Sequence, residues 1–294
     1  MQSVYRYFLI FRPFLMILYL ALGGMLCVFS AQAYLGMPLN YGLGIISMGI
    51  IFAVYSLNRF TDTREDFAND LGSLMFFLER KFLYAAAVIA LGGIVLTLAI
   101  FQKLSSYHLF LIALGLFYSY RLLPWYRPGE GFIFRRLKEF ILVKNILVAA
   151  LWGISIFAIP LLFTDYALAD YSMVYILAAS ITLSTFNNTI CCDIRHIAGD
   201  QLADNRTLPC QWGSKKSYLL LLAINLLWLI LLVSVYFTNL IDWKHFLFLL
   251  LMFFHPLIYI LPYYYSSFQK TVIDFLSESD LLLFMAGLAL LSIF

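Results

Sequence analysis

The stretch AVYSLNRFTDTREDFAND, from Ala53 to Asp70, begins as the end of an apolar helix and then fills with acidic residues. Asn58, Asp62 and Asp66 recur at intervals of four. On a helix this interval advances about 40° past a full turn, so the three side chains share one stripe. Carboxylates are costly near a membrane, and like charges at this interval repel unless a cation lies between them. The pattern indicates a cation site at the end of a membrane-length helix; a solvated helix end is the simpler alternative.

The rest of the chain has the composition of a polytopic membrane protein. Of its 294 residues 63% are hydrophobic and 12% are charged, about half the charged fraction of a soluble domain. Apolar runs long enough to span or nearly span a bilayer lie at about 10–33, 40–60, 82–102, 107–123, 140–163, 170–192, 217–237, 245–264 and 274–294. We therefore expect an all-α, polytopic membrane fold of about nine transmembrane helices. No hydrophilic stretch is long enough for a separate soluble domain, so 1–294 is expected to form a single transmembrane domain.

The charged residues are distributed unevenly between the two ends of these runs. With nine spans, every basic residue except Lys103 and Lys244 falls on one face. The positive-inside rule makes that face cytoplasmic, in an inner or plasma membrane. The same face carries every acidic residue except Asp165, Asp170 and Asp242. A lipid-binding patch would be basic only, so the mixture of both signs indicates a site on the cytoplasmic side.

A second acidic stretch, NNTICCDIRHIAGDQLADNRTLP, runs from Asn187 to Pro209. Asp193, His196, Asp200 and Asp204 follow one another at helical intervals, which predicts one helical face at the cytoplasmic end of the sixth run. Two acidic stripes at the same depth on non-adjacent spans can face each other across a cavity. Two cations bridged by a diphosphate would neutralise both stripes.

These two stretches carry a family resemblance. NRFTDTRED resembles the NxxxDxxxD motif of the UbiA-type intramembrane prenyltransferases, and DIRHIAGDQLADNRTLP is similar to their second motif, commonly DIRDxxGDxxxGxxTLP. The resemblance implies nine helices around a central cavity. It also implies Mg²⁺-dependent transfer of a polyprenyl group from a prenyl diphosphate donor to a small-molecule acceptor, commonly an aromatic ring. By position, Asn58, Asp62 and Asp66 would bind one metal–diphosphate side, and Asp200 with the position of His196 would bind the other.

The chain departs from the family pattern within the second motif. His196 stands where the family usually has an aspartate, and imidazole is a poor ligand for Mg²⁺. Either Asp193, nearly one turn earlier, supplies the metal ligand, or His196 bonds a phosphate oxygen directly; a hydrogen-bonded interfacial histidine is the simpler alternative. Asp204 stands where a glycine is common, and we group it with His196 as a candidate diphosphate-binding residue.

A basic segment, YSYRLLPWYRPGEGFIFRRLKEFILVKN, links the fourth and fifth runs from Tyr118 to Asn145. Arginine grips phosphate oxygens as a fork and lysine acts as a point charge, so Arg136, Lys138 and Lys144 are candidates to stabilise a departing diphosphate. Positive-inside topology explains most of these charges without a site, but Lys144 lies within an apolar run. The family's Tyr-x-x-x-Lys pair is absent at this spacing, so Tyr118 is a secondary catalytic candidate. GEG at 129–131 suits a turn or a moving lid, and we favour the turn.

Other functions stay open at this point. Intramembrane acids are typical of ion pathways, so a transporter or a non-catalytic isoprenoid or ion binder is one alternative. A degenerate family member kept as an assembly factor is another, because of His196. No acids mark an outer exit, which favours prenyl transfer. Membrane lipid is an expected partner and nucleic acid is not. Asp274, Glu278 and Asp280 begin the last run. Membership of a polar cavity is one interpretation of these acids, and the capped start of a helix is the one we favour.

Overall fold

The computed structural model describes residues 2–69, 71–101, 106–129, 131–162, 171–203, 205–265, 276 and 279–293. Its helices are α1 (Gln2–Tyr34), α2 (Tyr41–Thr61), α3 (Thr63–Asn69), α4 (Leu71–Phe101), α5 (Ser106–Ser119), α6 (Val143–Leu162), α7 (Ser172–Arg195), α8 (Ile197–Leu202), α9 (Leu208–Phe237), α10 (Trp243–Tyr265) and α11 (Asp280–Leu291). A 3₁₀ helix covers Leu137–Glu139.

Helices lie at all of the predicted apolar runs. Among the residues that the structure describes, six helices are long and apolar enough to cross a membrane: Phe14–Tyr34, Tyr41–Thr61, Val143–Leu162, Ser172–Arg195, Leu208–Phe237 and Trp243–Leu261. The shorter apolar helices are Phe110–Ser119 and Asp280–Leu291. A helical integral membrane protein is therefore confirmed, whereas the count of nine spans stays a prediction.

The expectation of an all-α fold is wrong in the segment between α5 and α6. Strands β1 (Leu123–Arg127) and β2 (Gly131–Arg135) form an antiparallel hairpin, in which Leu123 lies opposite Arg135. Aromatic side chains along both strands favour extended backbone. Gly129 and Gly131 adopt φ angles of 87° and 79°, which side-chain-bearing residues rarely reach. Gly129 thus lies in a turn after β1, and Gly131 begins β2.

The described chain divides into two compact units. The first unit consists of Met1–Met25, Tyr41–Lys144 and His196–Thr207. Its core holds Ile17, Ala21, Phe52 and Phe77 on α1, α2 and α4, all at most 3% exposed. Within this unit α2 packs on α4 and α5, and α3 packs on α4 and α8. Since α3 carries the end of the first acidic motif and α8 carries part of the second, this packing positions the candidate site.

The second unit consists of Leu26–Asn40, Asn145–Arg195 and Leu208–Phe294. Here α10 packs on α7, α9 and α11. Asp280 on α11 is 3% exposed; its carboxylate contacts His255 Nδ1 and accepts a hydrogen bond of 2.9 Å from the Tyr259 hydroxyl. α11 begins at Asp280, as expected, but the Asp280 carboxylate pairs with these side chains and does not cap the helix, because a carboxylate among apolar helices needs such partners. Asp274 and Glu278 lie outside the described residues.

Candidate functional site

The first acidic motif crosses a short interruption between α2 and α3. Asp62 lies between the two helices, yet its amide donates to the Asn58 carbonyl at 2.9 Å and its own carbonyl accepts from the Asp66 amide at 2.9 Å. These hydrogen bonds keep the helical i to i−4 pattern. The backbone therefore holds Asn58, Asp62 and Asp66 in helical register, as the spacing predicts.

Two cations of the basic segment lie against the middle of this motif. The Lys138 ammonium contacts Asp62 Oδ1 and lies 2.8 Å from Glu65 Oε1. Arg136 Nη1 lies 3.1 Å from Asp62 Oδ1, and Arg136 Nη2 lies 3.6 Å from Glu65 Oε1. Lys138 and Arg136 are only 4% and 7% exposed. Buried charges need partners of the opposite sign, so the cations and the acidic motif form one cluster in the first unit.

The guanidinium of Arg136 is held from its other side by Glu139. Arg136 Nε donates to Glu139 Oε1 at 2.8 Å, and Arg121 Nε donates to the same oxygen at 3.1 Å. Burial alone would raise the pKa of Glu139, but the hydrogen bonds and charges of the two arginines outweigh it and lower the pKa. Glu139 therefore stays ionised and fixes Arg136 with Nη1 directed at Asp62.

Asp66, at the end of the first motif, has a different environment. Arg59 Nη1 donates to both of its carboxylate oxygens at 3.1 Å. Burial raises the pKa of Asp66; Arg59 opposes this, while the negative charges of Asp62 and Glu65 add to it. The pKa of Asp66 is raised overall, because burial together with these two negative charges outweighs the effect of Arg59.

The sequence analysis expected the second motif to form one continuous helical face. The structure instead divides the motif between two helices. α7 ends at Arg195, His196 adopts φ −106° and ψ 15°, and the separate helix α8 ends at Leu202. The reason lies in the packing of α8 against α3. The Gly199 amide donates to Asn69 Oδ1 at 3.0 Å, and a Cβ on Gly199 would lie 2.2 Å from Asn69 Nδ2. This close approach brings Asp200, which is 1% exposed, into the same unit as the first motif.

Asn205 links the two motifs. The backbone N–H of Asn205 donates to the Asp200 backbone carbonyl at 2.8 Å, and the side-chain Nδ2 of Asn205 lies 3.4 Å from Asp200 Oδ1. Its side chain also hydrogen-bonds Glu65. Burial would raise the pKa of Glu65, but Lys138, then Lys144, and the bond from Asn205 outweigh it and lower the pKa. Glu65 is therefore an ionised side chain between the cations of the basic segment and the second motif.

The remaining predicted residues fall in several places. Lys144 is half-buried at the end of the first unit, where its charge acts on Glu65. Asp193 belongs to the second unit, is 1% exposed, and accepts a hydrogen bond of 2.8 Å from Asn145 Nδ2. This amide contact leaves its role as a metal ligand a prediction.

His196 and Tyr118 are both half-buried residues of the first unit. The carbonyl of His196 accepts the Asp200 amide at 2.9 Å, so its backbone starts α8. Next to Tyr118, the Ser119 hydroxyl donates to Asn58 Oδ1 at 2.6 Å. Asp204 lies outside the described residues.

Sequence reasoning missed four contributors, namely Arg59, Glu65, Ser119 and Asn205. A signal existed for Arg59, which precedes Asp66 by seven residues and so lies on the same helix face two turns earlier. A signal existed also for Glu65, three residues after Asp62. Ser119 and Asn205 reach the site only through tertiary packing, and their local sequence carries no such signal.

The donor atoms of this cluster suit a hard divalent cation. Asp62, Asp66 and Asp200 supply carboxylate oxygens, and Asn205 Oδ1 is a buried acceptor without a hydrogen-bond partner among the described residues. Across the described part of the chain, no three His, Cys, Asp or Glu side chains converge on a single point. Mg²⁺ is typically bound by one or two carboxylates together with water and phosphate oxygens. The residues present therefore fit a Mg²⁺ ion that a diphosphate helps to hold.

The fold is similar to those of solved UbiA homologues. The apo structure of a UbiA homologue from Aeropyrum pernix K1 superposes with a TM-score of 0.66 at 14% identity, covering 93% of this chain and 98% of that one. A UbiA homologue from Archaeoglobus fulgidus, solved bound to GPP and Mg²⁺, gives 0.64 at 15% identity and covers 98% and 99%. At this identity the likeness establishes the fold class, a UbiA-like helical membrane protein.

The sequence itself identifies the family. The family model described as VviA prenyltransferase matches residues 40–244, which is more than half of the chain and includes both acidic motifs. The chain belongs to this family of UbiA-type prenyltransferases. A digeranylgeranylglyceryl phosphate synthase of Methanosphaera stadtmanae is 31% identical over 103 residues; the match covers 35% of this chain and 36% of that relative. Family membership favours prenyl transfer over a transporter or non-catalytic binder and over an assembly factor.

Proposed function

We propose that this chain transfers a polyprenyl group from a prenyl diphosphate to a small-molecule acceptor in a Mg²⁺-dependent reaction. The site faces the cytoplasm, and residues 1–294 act as one transmembrane domain. One observation carries the proposal: helices α3 and α8 pack together, so that the carboxylates of both acidic motifs share a unit with the buried cations Arg136 and Lys138. Acidic side chains beside basic ones suit a metal–diphosphate, which presents both signs of charge.

The proposed roles combine the sequence motifs with the contacts of the first unit. Asn58, Asp62 and Asp66 bind the metal–diphosphate on one side, and Asp200 with His196 binds it on the other. Asp193 and Asp204 are candidates from the sequence motif alone. Bound Mg²⁺ supplies positive charge to the diphosphate oxygens and so favours its departure. Arg136 and Lys138, which neutralise Asp62 and Glu65 in this structure, turn to the diphosphate when it binds. Lys144 adds a third positive charge from the start of α6, and Tyr118 lines the same segment.

The reaction breaks the bond between C1 of the prenyl chain and the diphosphate oxygen, and the diphosphate keeps the electron pair. The acceptor forms the new bond to C1 and loses a proton. Buried cations aimed at the leaving group are worth most where water is excluded. An aromatic acceptor is our first expectation. A glyceryl phosphate acceptor is included in the assays, because the curated relative is named for a glyceryl phosphate product.

The roles of the two motifs are tested by paired substitutions. Asp66→Asn and Asp200→Asn remove one carboxylate from each motif, and each should lower diphosphate release at least about 100-fold. Asp242→Asn is the matched control, because Asp242 is more than half exposed and hydrogen-bonds His245 in the second unit. Diphosphate release is measured with the purified protein in nanodiscs. Unimpaired turnover in both motif variants would refute the proposal.

A further inference from the structure

The two faces of the β1–β2 hairpin differ in their contacts and in their exposure. Cross-strand partners share a face, and faces alternate along each strand. Trp125, opposite Ile133, packs edge-on against Phe140 with ring centroids 5.0 Å apart. The Arg135 guanidinium lies 6.0 Å from the centre of the same Phe140 ring. This face therefore rests on the segment that leads into the site.

The opposite face is aromatic and exposed. Tyr126 lies opposite Phe132, and Pro124 lies opposite Phe134. Tyr126, Phe132 and Phe134 are 62%, 76% and 58% exposed, and the rings of Tyr126 and Phe132 touch at 5.6 Å. Exposure of a contiguous aromatic face to water is unfavourable, so such a face marks a surface that contacts a partner or a membrane.

Charge and tether length indicate what covers this face. Segment 120–135 contains the arginines Arg121, Arg127 and Arg135 and one acidic residue, Glu130. The apolar helix α5 ends at Ser119 and β1 starts at Leu123. Four residue steps reach at most about 14 Å, so β1 starts within that distance of the end of an apolar helix. Aromatic rings beside arginines are typical of the membrane–water interface, where anionic headgroups attract the positive charge.

We infer that the face formed by Pro124, Tyr126, Phe132 and Phe134 lies in the headgroup interface of the membrane that holds the helices. The occupant is lipid, in contact with the rings at the level of the upper acyl chains. The hairpin is thereby an interfacial anchor, and it lies directly before Arg136, the first cation of the proposed site.

Photo-cross-linking tests this placement with little disturbance of the fold. Benzoylphenylalanine replaces Phe132, an aromatic residue of similar shape, and the protein in nanodiscs containing anionic phospholipid is irradiated and analysed by peptide mass spectrometry. The matched negative control is the same probe at Ile133, on the half-buried opposite face. The positive control is the probe at Ile230, 55% exposed on the apolar helix α9.

We expect phospholipid adducts at position 132 at a yield near that at position 230, and at least tenfold above that at position 133. Adducts at 230 without adducts at 132 would overturn the inference. Cross-links from 132 to a second copy of the chain would also overturn it and assign the face to self-association. The same probe at Phe134 provides a second measurement if the variant at 132 does not fold.

Discussion

Lys138 allows the catalytic and structural roles of the charge cluster to be separated. Its ammonium contacts Asp62 and lies 2.8 Å from Glu65. In Lys138→Met the carboxylates of Asp62 and Glu65 stay buried. Arg136 remains 3.1 Å from Asp62, but its contact with Glu65 is longer, at 3.6 Å. Breaking a fully buried pair costs about 3–5 kcal/mol. Because Arg136 still compensates Asp62, we expect the free energy of unfolding to fall by about 2–3 kcal/mol.

The double variant Lys138→Met with Glu65→Gln removes one charge of each sign. Replacing both members of a buried pair is often close to neutral, so stability should return to within about 1 kcal/mol of the wild type. Turnover should not return. Loss of a cation that stabilises the leaving group costs roughly 100- to 1,000-fold in kcat, and Glu65→Gln does not replace that cation. Lys216→Met, at an exposed lysine, is the matched control and should leave both quantities unchanged.

The assay combines thermal unfolding in detergent with diphosphate release in nanodiscs for the wild type and the three variants. Stability and turnover are predicted to separate in the double variant. If turnover recovers together with stability, Lys138 serves only to neutralise Glu65, and its assignment to the diphosphate is wrong. Full turnover in Lys138→Met alone would lead to the same conclusion.

Three further predictions concern other parts of the site. Gly199→Ala should destabilise the protein by about 1–3 kcal/mol, because its Cβ would overlap Asn69; Asn69→Ala in the same chain should restore the melting temperature. In a Mg²⁺ titration of turnover, His196→Asp should lower the Mg²⁺ concentration for half-maximal turnover by roughly tenfold, since carboxylate is the better ligand. His196→Ala should not lower that concentration. Glu139 has a pKa below its ordinary value of 4.5, so its contribution to stability is present above that value and disappears as pH falls through the lower folded-state pKa. Glu139→Gln should therefore flatten the acid side of melting temperature against pH, and an unchanged slope would contradict the pairing with Arg136.

The parts of the fold that the sequence predicts are those set by local pattern. Hydropathy locates the helices because membrane spans must be apolar over their whole length. The interval of four between Asn58, Asp62 and Asp66 predicts their helical register, and the structure retains it across the break at Asp62. The sequence also selects Arg136 and Lys138 as candidate phosphate-binding residues, but their burial and their pairing with Asp62 and Glu65 are seen only in the structure.

The parts that escape prediction depend on contacts distant in sequence. The break at His196 has its reason in the approach of Gly199 to Asn69, 130 residues earlier. Asn205 reaches Glu65 only because α8 packs on α3. The hairpin is not predicted from the sequence, because its basic residues also fit a positive-inside loop and its strands are only five residues long.

The most direct test of the proposed function is diphosphate release by the purified chain in nanodiscs, with product mass read in parallel. A panel of prenyl diphosphates is combined with aromatic and glyceryl phosphate acceptors, with and without Mg²⁺. The proposal predicts Mg²⁺-dependent release accompanied by an acceptor whose mass has increased by one prenyl group. Prenylated product formed equally well without Mg²⁺, or Mg²⁺-dependent binding of the donor with no release for any acceptor, would contradict it.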